Sequence, residues 1–253
     1  MQEGPAGAGA PVTSSRERFA ELVRSPDCDV AEACLLICCE VEPDLSVTDW
    51  LVELDVLAAT VTSKDLGGLQ RALSGFSGSA EDYEDLRSSL LHQVLRRRRG
   101  LPILLSVVWC EVARRVGLPA VALGLPGHVL TLVGDTVVDP FGGGKVVHAP
   151  HQPVLDPVSL LLRVLTNIRA LAERQGRSLE TARTRLWATE LSLLLPRHPV
   201  ELRREQGELL LRLGSFTAGA RALEDYAEIV EDAAPEEAET ARRQARLGRA
   251  RLN

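Results

Sequence analysis

The segment from Pro102 to Val116 constrains this chain more than any other. Ile103, Leu104, Leu105, Val107, Val108, Trp109, Cys110, Val112, Ala113 and Val116 leave almost no polar side. A helix that is apolar all round is a buried, central one. Pro102 suits its first turn, where a missing N–H costs no hydrogen bond. Gly117 followed by Leu118-Pro119 supplies the stop. The rest of the fold has to be built around this helix.

Upstream, the 3.6-residue period predicts helices over 16–24, 29–40, 49–61, 66–73 and 90–99. Ser14 and Ser15 are both suited to cap the first. The polar stretch GFSGSAEDYEDLRSS (75–89) reads as a loop. Downstream the period changes to two. Residues 120–123, 128–133 (HVLTLV) and 136–139 (TVVD) read as strands, the last two joined by Gly134-Asp135 as a hairpin. From 156 only helices are expected, over 157–174, 178–195, 200–213, 217–232 and 235–252. Antiparallel pairs with short links suggest a helical-repeat segment. The expected class is α+β, mostly helical, divided as a flexible tail (1–15), a core domain (16–155) and an all-α segment (156–253).

The hairpin permits a geometric inference. With Gly134-Asp135 as the turn, Val133 faces Thr136 and Leu130 faces Asp139. His128 and Asp139 then share a face as diagonal neighbours. An Asp beside a His fixes the tautomer and stabilises the imidazolium, which is two-thirds of a catalytic triad. The same pair also serves simply to stabilise a strand end.

Charge and composition exclude several classes. The formal net charge of −6 argues against a general nucleic-acid binder, which needs a basic footprint. No run approaches the roughly 18–20 apolar residues of a spanning helix. The opening MQEGPAGAGAPVTSS lacks the basic start and apolar centre of a signal peptide, so a cytoplasmic location is expected. Five cysteines, an odd count, do not favour a disulfide framework.

Residues 75–144, with the blocks RRRRGLPILLS, PGH and VDPFGG, resemble the SirB-one family of the transglutaminase-like, papain-like fold. The resemblance runs on into a tetratricopeptide-like tail through LLRVLTNIRAL (161–171) and LRLGSFTAGARALEDY (211–226). It implies a buried helix on a small antiparallel sheet followed by helical repeats. It also implies a mapping. In active members the catalytic Cys opens the central helix ahead of the Gly-Ile-Pro that ends it. Here Gly117-Leu118-Pro119 is that end, and the nucleophile position falls on Pro102. His128 and Asp139 match the superfamily His and Asp, while Tyr83, Asp82, Arg99, Gly127 and Phe141 are expected to line the cleft. The chain departs from the family at Ser79, Ser88 and Glu84-Asp85-Leu86 in the loop, and at Gly219 in the tail, where a tetratricopeptide unit prefers Ala.

Proline has no nucleophilic atom, so thiol acyl transfer cannot run through residue 102. Cys110 lies about 12 Å along the helix and about 80° round it, away from any helix end that acidifies a thiol. Ser106, one turn below Pro102, is a weak substitute whose hydroxyl is placed to bond His128 or the Pro102 carbonyl. Cys34, Cys38 and Cys39 share a helix but lack convergent partners, so they read as core. His148 and His151 read as surface residues, Arg96–Arg99 as cations at a helix end, and DPFGGGK as a tight turn without phosphate-loop spacing. The sequence thus predicts a non-catalytic transglutaminase-like binding or regulatory protein. Its expected partner is a protein or peptide, met through the cleft or the helical tail, with no cofactor, metal, nucleic acid or membrane. The alternative is a hydrolase or an acyl or amide transferase using His128, oriented by Asp139, as general base.

Overall fold

The computed structural model describes residues 14–149 and 152–251; most of the expected 1–15 tail, and His151, lie outside them. Among the described residues there are eleven α-helices and one four-stranded antiparallel sheet. Five helices come first: α1 (Ser15–Leu22), α2 (Val30–Cys38), α3 (Val47–Ala59), α4 (Leu66–Ala72) and α5 (Leu91–Arg97). Side-chain caps start four of them. Ser14 and Glu17 form a reciprocal capping box on α1, while Asp29, Ser46 and Asp65 cap α2, α3 and α4. The expected 29–40 helix stops at Cys38 because the chain turns there, Val41 and Glu42 both donating to the Cys38 carbonyl. The 90–99 helix ends before Gly100. Arg98 takes the left-handed conformation (φ 55°) that halts it.

The central helix α6 (Pro102–Arg115) carries proline at its first turn and buries Pro102 through Trp109, then Glu111, Val112 and Ala113. It packs on β1 (Ala120–Leu125) and β2 (His128–Val133), which continue into β3 (Thr136–Asp139) and β4 (Lys145–Val146) in sequential order. The strand expected over 120–123 runs on to Leu125, where Leu125 pairs with His128 across the Pro126-Gly127 turn. The second hairpin has the expected register, Val133 opposite Thr136 and Thr131 opposite Val138. β4 had no signal: two residues are held only by pairing Asp139 with Lys145 and Val138 with Val146.

The remaining helices are α7 (Pro157–Arg174), α8 (Leu179–Leu194), α9 (Glu201–Arg212), α10 (Phe216–Val230) and α11 (Pro235–Ala250). Leu161, Val164, Leu165 and Ile168 of α7, and Ala188 and Leu191 of α8, belong to the same apolar core as α6. A second cluster, with Leu223, Tyr226 and Ala241, holds α10 and α11 together. Gly219 has a local cause. A Cβ there would lie 2.9 Å from the Gly207 carbonyl and from Leu211, so α9 and α10 approach too closely for alanine.

Candidate functional site

The glycine-rich turn after β3 builds the site around Asp139. Gly144 donates its N–H to the Asp139 carbonyl at 2.7 Å. Its φ of +76° and the Trp109 ring, 2.4 Å from where a Cβ would sit, require glycine there. The Asp139 carboxylate accepts from the Phe141 N–H at 3.0 Å and meets His128 Nε2 at 3.0 Å. The geometric inference from the hairpin therefore holds. With Nε2 engaged by Asp139, the other ring nitrogen is the one left for the cleft.

Phe141 stands edge-on to both His128 and Tyr83, with ring centroids 5.8 Å and 5.9 Å away. Gly78 seats this ring, since a Cβ at 78 would come within 2.1 Å of it. Burial, reinforced by the charge of Asp139, raises the Tyr83 hydroxyl above its usual range. The cleft beneath has a volume of about 250 Å³. Pro102 and Ile103, at the start of α6, line it together with Tyr83, Gly127 and His128. The mapped nucleophile position and His128 thus meet in one cavity, with Asp139 holding the imidazole from outside its lining, and the residue offered at that position is a proline.

Of the expected cleft residues, Phe141, Asp82 and Arg99 do not line the cavity: Phe141 packs against the Tyr83 and His128 rings that do, and the other two lie elsewhere. Asp82 is only 1% exposed and lies under the loop. It accepts from the Ser79 N–H and hydroxyl, from Ser88 Oγ at 2.7 Å and from Arg99 Nη2 at 3.1 Å. Burial alone would raise its pKa; these hydrogen bonds outweigh burial and hold the carboxyl below the usual range. Arg99 is spent on Asp82 and Ser79. The whole 96–99 run is used similarly: Arg96 covers Trp50, Arg97 pairs with Asp85, and Arg98 covers Phe76. Arg97, Arg98 and Arg99 staple the 75–89 loop, which two 3-10 turns (Ala80–Glu84 and Leu86–Ser89) order.

Ser106 is fully buried and donates to the Val129 carbonyl at 3.5 Å, not to His128 or the Pro102 carbonyl. The helix turns its hydroxyl toward β2 instead of the cleft. Cys110 lines a separate apolar cavity of about 230 Å³ with Val30, Leu155 and Leu160, and burial pushes its thiol up to about 12. Burial likewise raises Cys28, Cys34 and Cys39, and takes Cys38 to about 12. None of the five thiols is acidified as a nucleophile requires. Among the described residues no group of three His, Cys, Asp or Glu side chains is arranged to hold a metal ion.

The sequence reading missed the opposite wall of the cleft, formed by Arg163, Thr166, Asn167 and Arg174 of α7. Their signal was a polar stripe at helical spacing, hidden by treating residues after 156 as a separate segment. Arg174 donates to the Tyr83 carbonyl at 2.7 Å and pairs with Glu84, clasping the loop against α7. Arg163 donates to the Leu125 carbonyl at 2.8 Å beside the β1–β2 turn.

The family model for the transglutaminase-like superfamily matches residues 48–156. The chain carries a transglutaminase-like domain. A UPF0162 protein of Xylella fastidiosa is 33% identical over 181 residues, covering 61% of this chain and 63% of that protein. A UPF0162 protein of Pseudomonas aeruginosa is 30% identical over 179 residues, covering 58% and 66%. F-box only protein 21 of Mus musculus is 30% identical over 166 residues, covering 55% of this chain and 26% of that protein. The chain thus spans less than two thirds of the length of the Xylella relative. No solved structure matches. The transglutaminase-like domain contains α6, the whole sheet, Pro102, His128 and Asp139. Among the described residues no helix is long and apolar enough to cross a membrane.

Proposed function

We propose that this chain is a non-catalytic transglutaminase-like protein of the SirB-one type, with the former catalytic cleft serving as a recognition pocket for a peptide or protein. One observation supports the reading: Pro102 opens α6 in the same cavity as His128, whose ring meets Asp139. A thiol at that helix start would be acidified by the unpaired N–H groups and by the imidazole; proline offers neither a nucleophile nor a proton. Cys110 and Ser106 do not substitute, for the reasons of burial and direction given above. The helical segment of tetratricopeptide type supplies a second contact surface in this reading, and the setting is cytoplasmic.

The 3.0 Å contact between His128 and Asp139 favours one rival, in which the imidazole activates water or a substrate nucleophile directly. Turnover of thioester, ester and amide acyl donors, with and without an amine acceptor, separates the two. The proposal expects wild type and His128→Ala to give the same background rate. A wild-type rate that His128→Ala abolishes would establish the enzyme and end the binding-only reading.

A further inference from the structure

Among the described residues, Arg163 is the cleft-lining arginine without a counter-charge. Among the described residues, Asp139 is taken by His128 and the Phe141 N–H, and Glu84 by Arg174. Among the described residues no carboxylate lies within ion-pair distance of Arg163, and its guanidinium makes a single hydrogen bond, Nη2 to the Leu125 carbonyl. Nη1 is buried with no acceptor at all. A half-buried guanidinium left this way is costly, because interior charges are normally paired or fully hydrogen-bonded. The backbone makes room for it: a Cβ on Gly124 would stand 2.9 Å from Nη1. Side by side on α7, Thr166 and Asn167 add amide and hydroxyl groups suited to a peptide bond.

We infer that the cleft binds a peptide carboxylate, with Arg163 as its counter-ion. This rests on the cleft being the binding site of the preceding section. A carboxylate entering the cleft supplies the counter-charge that this guanidinium lacks, and the cavity of about 250 Å³ admits one side chain rather than a folded surface. Tyr83, Pro102 and Ile103, which line the same cavity, then hold the apolar part of the same residue.

Nuclear magnetic resonance titration of the full chain, following the His128 ring and the Arg163 Nε–H, tests this with three capped tripeptides. Ac-Ala-Glu-Ala-NH₂ presents a side-chain carboxylate, Ac-Ala-Ala-Ala-OH a terminal one, and Ac-Ala-Gln-Ala-NH₂ neither. At least one carboxylate peptide should shift both signals and bind about tenfold or more tightly than the glutamine peptide; which of the two does so identifies the source of the carboxylate. Arg163→Met should remove that preference, and Arg163→Lys, which keeps the charge without the fork, should restore part of it. Gly124→Ala, which displaces the guanidinium while leaving it present, should also weaken it, so the result does not hang on one variant's folding. Equal binding of the glutamate, terminal-carboxylate and glutamine peptides, or shifts confined to other parts of the chain, would overturn the carboxylate subsite. His128-dependent turnover in the acyl-donor assay would instead overturn the non-catalytic reading and leave the subsite standing.

Discussion

At the scale of single residues, the site depends on a few atoms that fit tightly. Gly78 is one: a Cβ would meet the Phe141 ring at 2.1 Å and the Gly100 carbonyl at 2.6 Å. Overpacking of this kind costs about 1–3 kcal/mol. Gly78→Ala should therefore lower the unfolding free energy in a denaturant titration and move the His128 ring resonances, since Phe141 stands against that ring. Asp82 is the other. Its folded pKa is depressed, so its contribution is present above the unfolded value near about 3.9 and is lost as pH falls through the lower folded value. Asp82→Asn should flatten the acid limb of the stability curve below about pH 4. It should also cost about 1–3 kcal/mol at neutral pH, because the buried carboxylate's hydrogen bonds from Ser79, Ser88 and Arg99 are weakened or lost. Asp82 was legible as special from its family position. Its burial was not, because nothing local in AEDYED says that Ser79, Ser88 and Arg99 converge on one carboxylate.

At the scale of elements, legibility follows how local the determining forces are. Helix α6 was readable because burial on all sides leaves a compositional mark, and the His128–Asp139 contact because hairpin register follows from a two-residue turn. The 3-10 turns within 80–89 and the β4 strand were not, since both exist only through partners distant in sequence. The wall formed by α7 was missed for the same reason: Arg163 reaches Leu125 across a proline-rich link. The glycine-rich turn gives a sharp test of the element that carries Asp139. Gly144→Ala meets both an unfavourable φ and the Trp109 ring, so a loss of about 2 kcal/mol or more is expected. Near-ultraviolet circular dichroism of Trp109 should change with it, while a substitution at the open Gly143, also at positive φ, should leave the tryptophan signal unmoved.

At the scale of the whole molecule, the apolar packing joins α7 and α8 to the α6 core and sets α10 and α11 on their own cluster. A chain ending at 200 should therefore keep a cooperative unfolding transition and the cleft. A chain ending at 155 loses Leu161, Val164, Leu165 and Ile168 from that core, together with Arg163 and Arg174 from the cleft wall. It should bind no peptide and unfold without a sharp transition; calorimetry of the two truncations distinguishes them. This also sets the limit of the sequence reading. The proline-rich stretch before 157 marked a change of secondary structure, and the sharing of one core across it depends on contacts between residues far apart in sequence.

The central claim is that Pro102 stands where an otherwise complete cleft would hold a nucleophile. Pro102→Cys tests it most directly, by the rate of alkylation at residue 102 with iodoacetamide against pH, read by peptide mass spectrometry. The account predicts a midpoint well below the ordinary thiol value of about 8.5, rising when His128→Ala is added. A midpoint at or above that value, or one indifferent to His128, would contradict it.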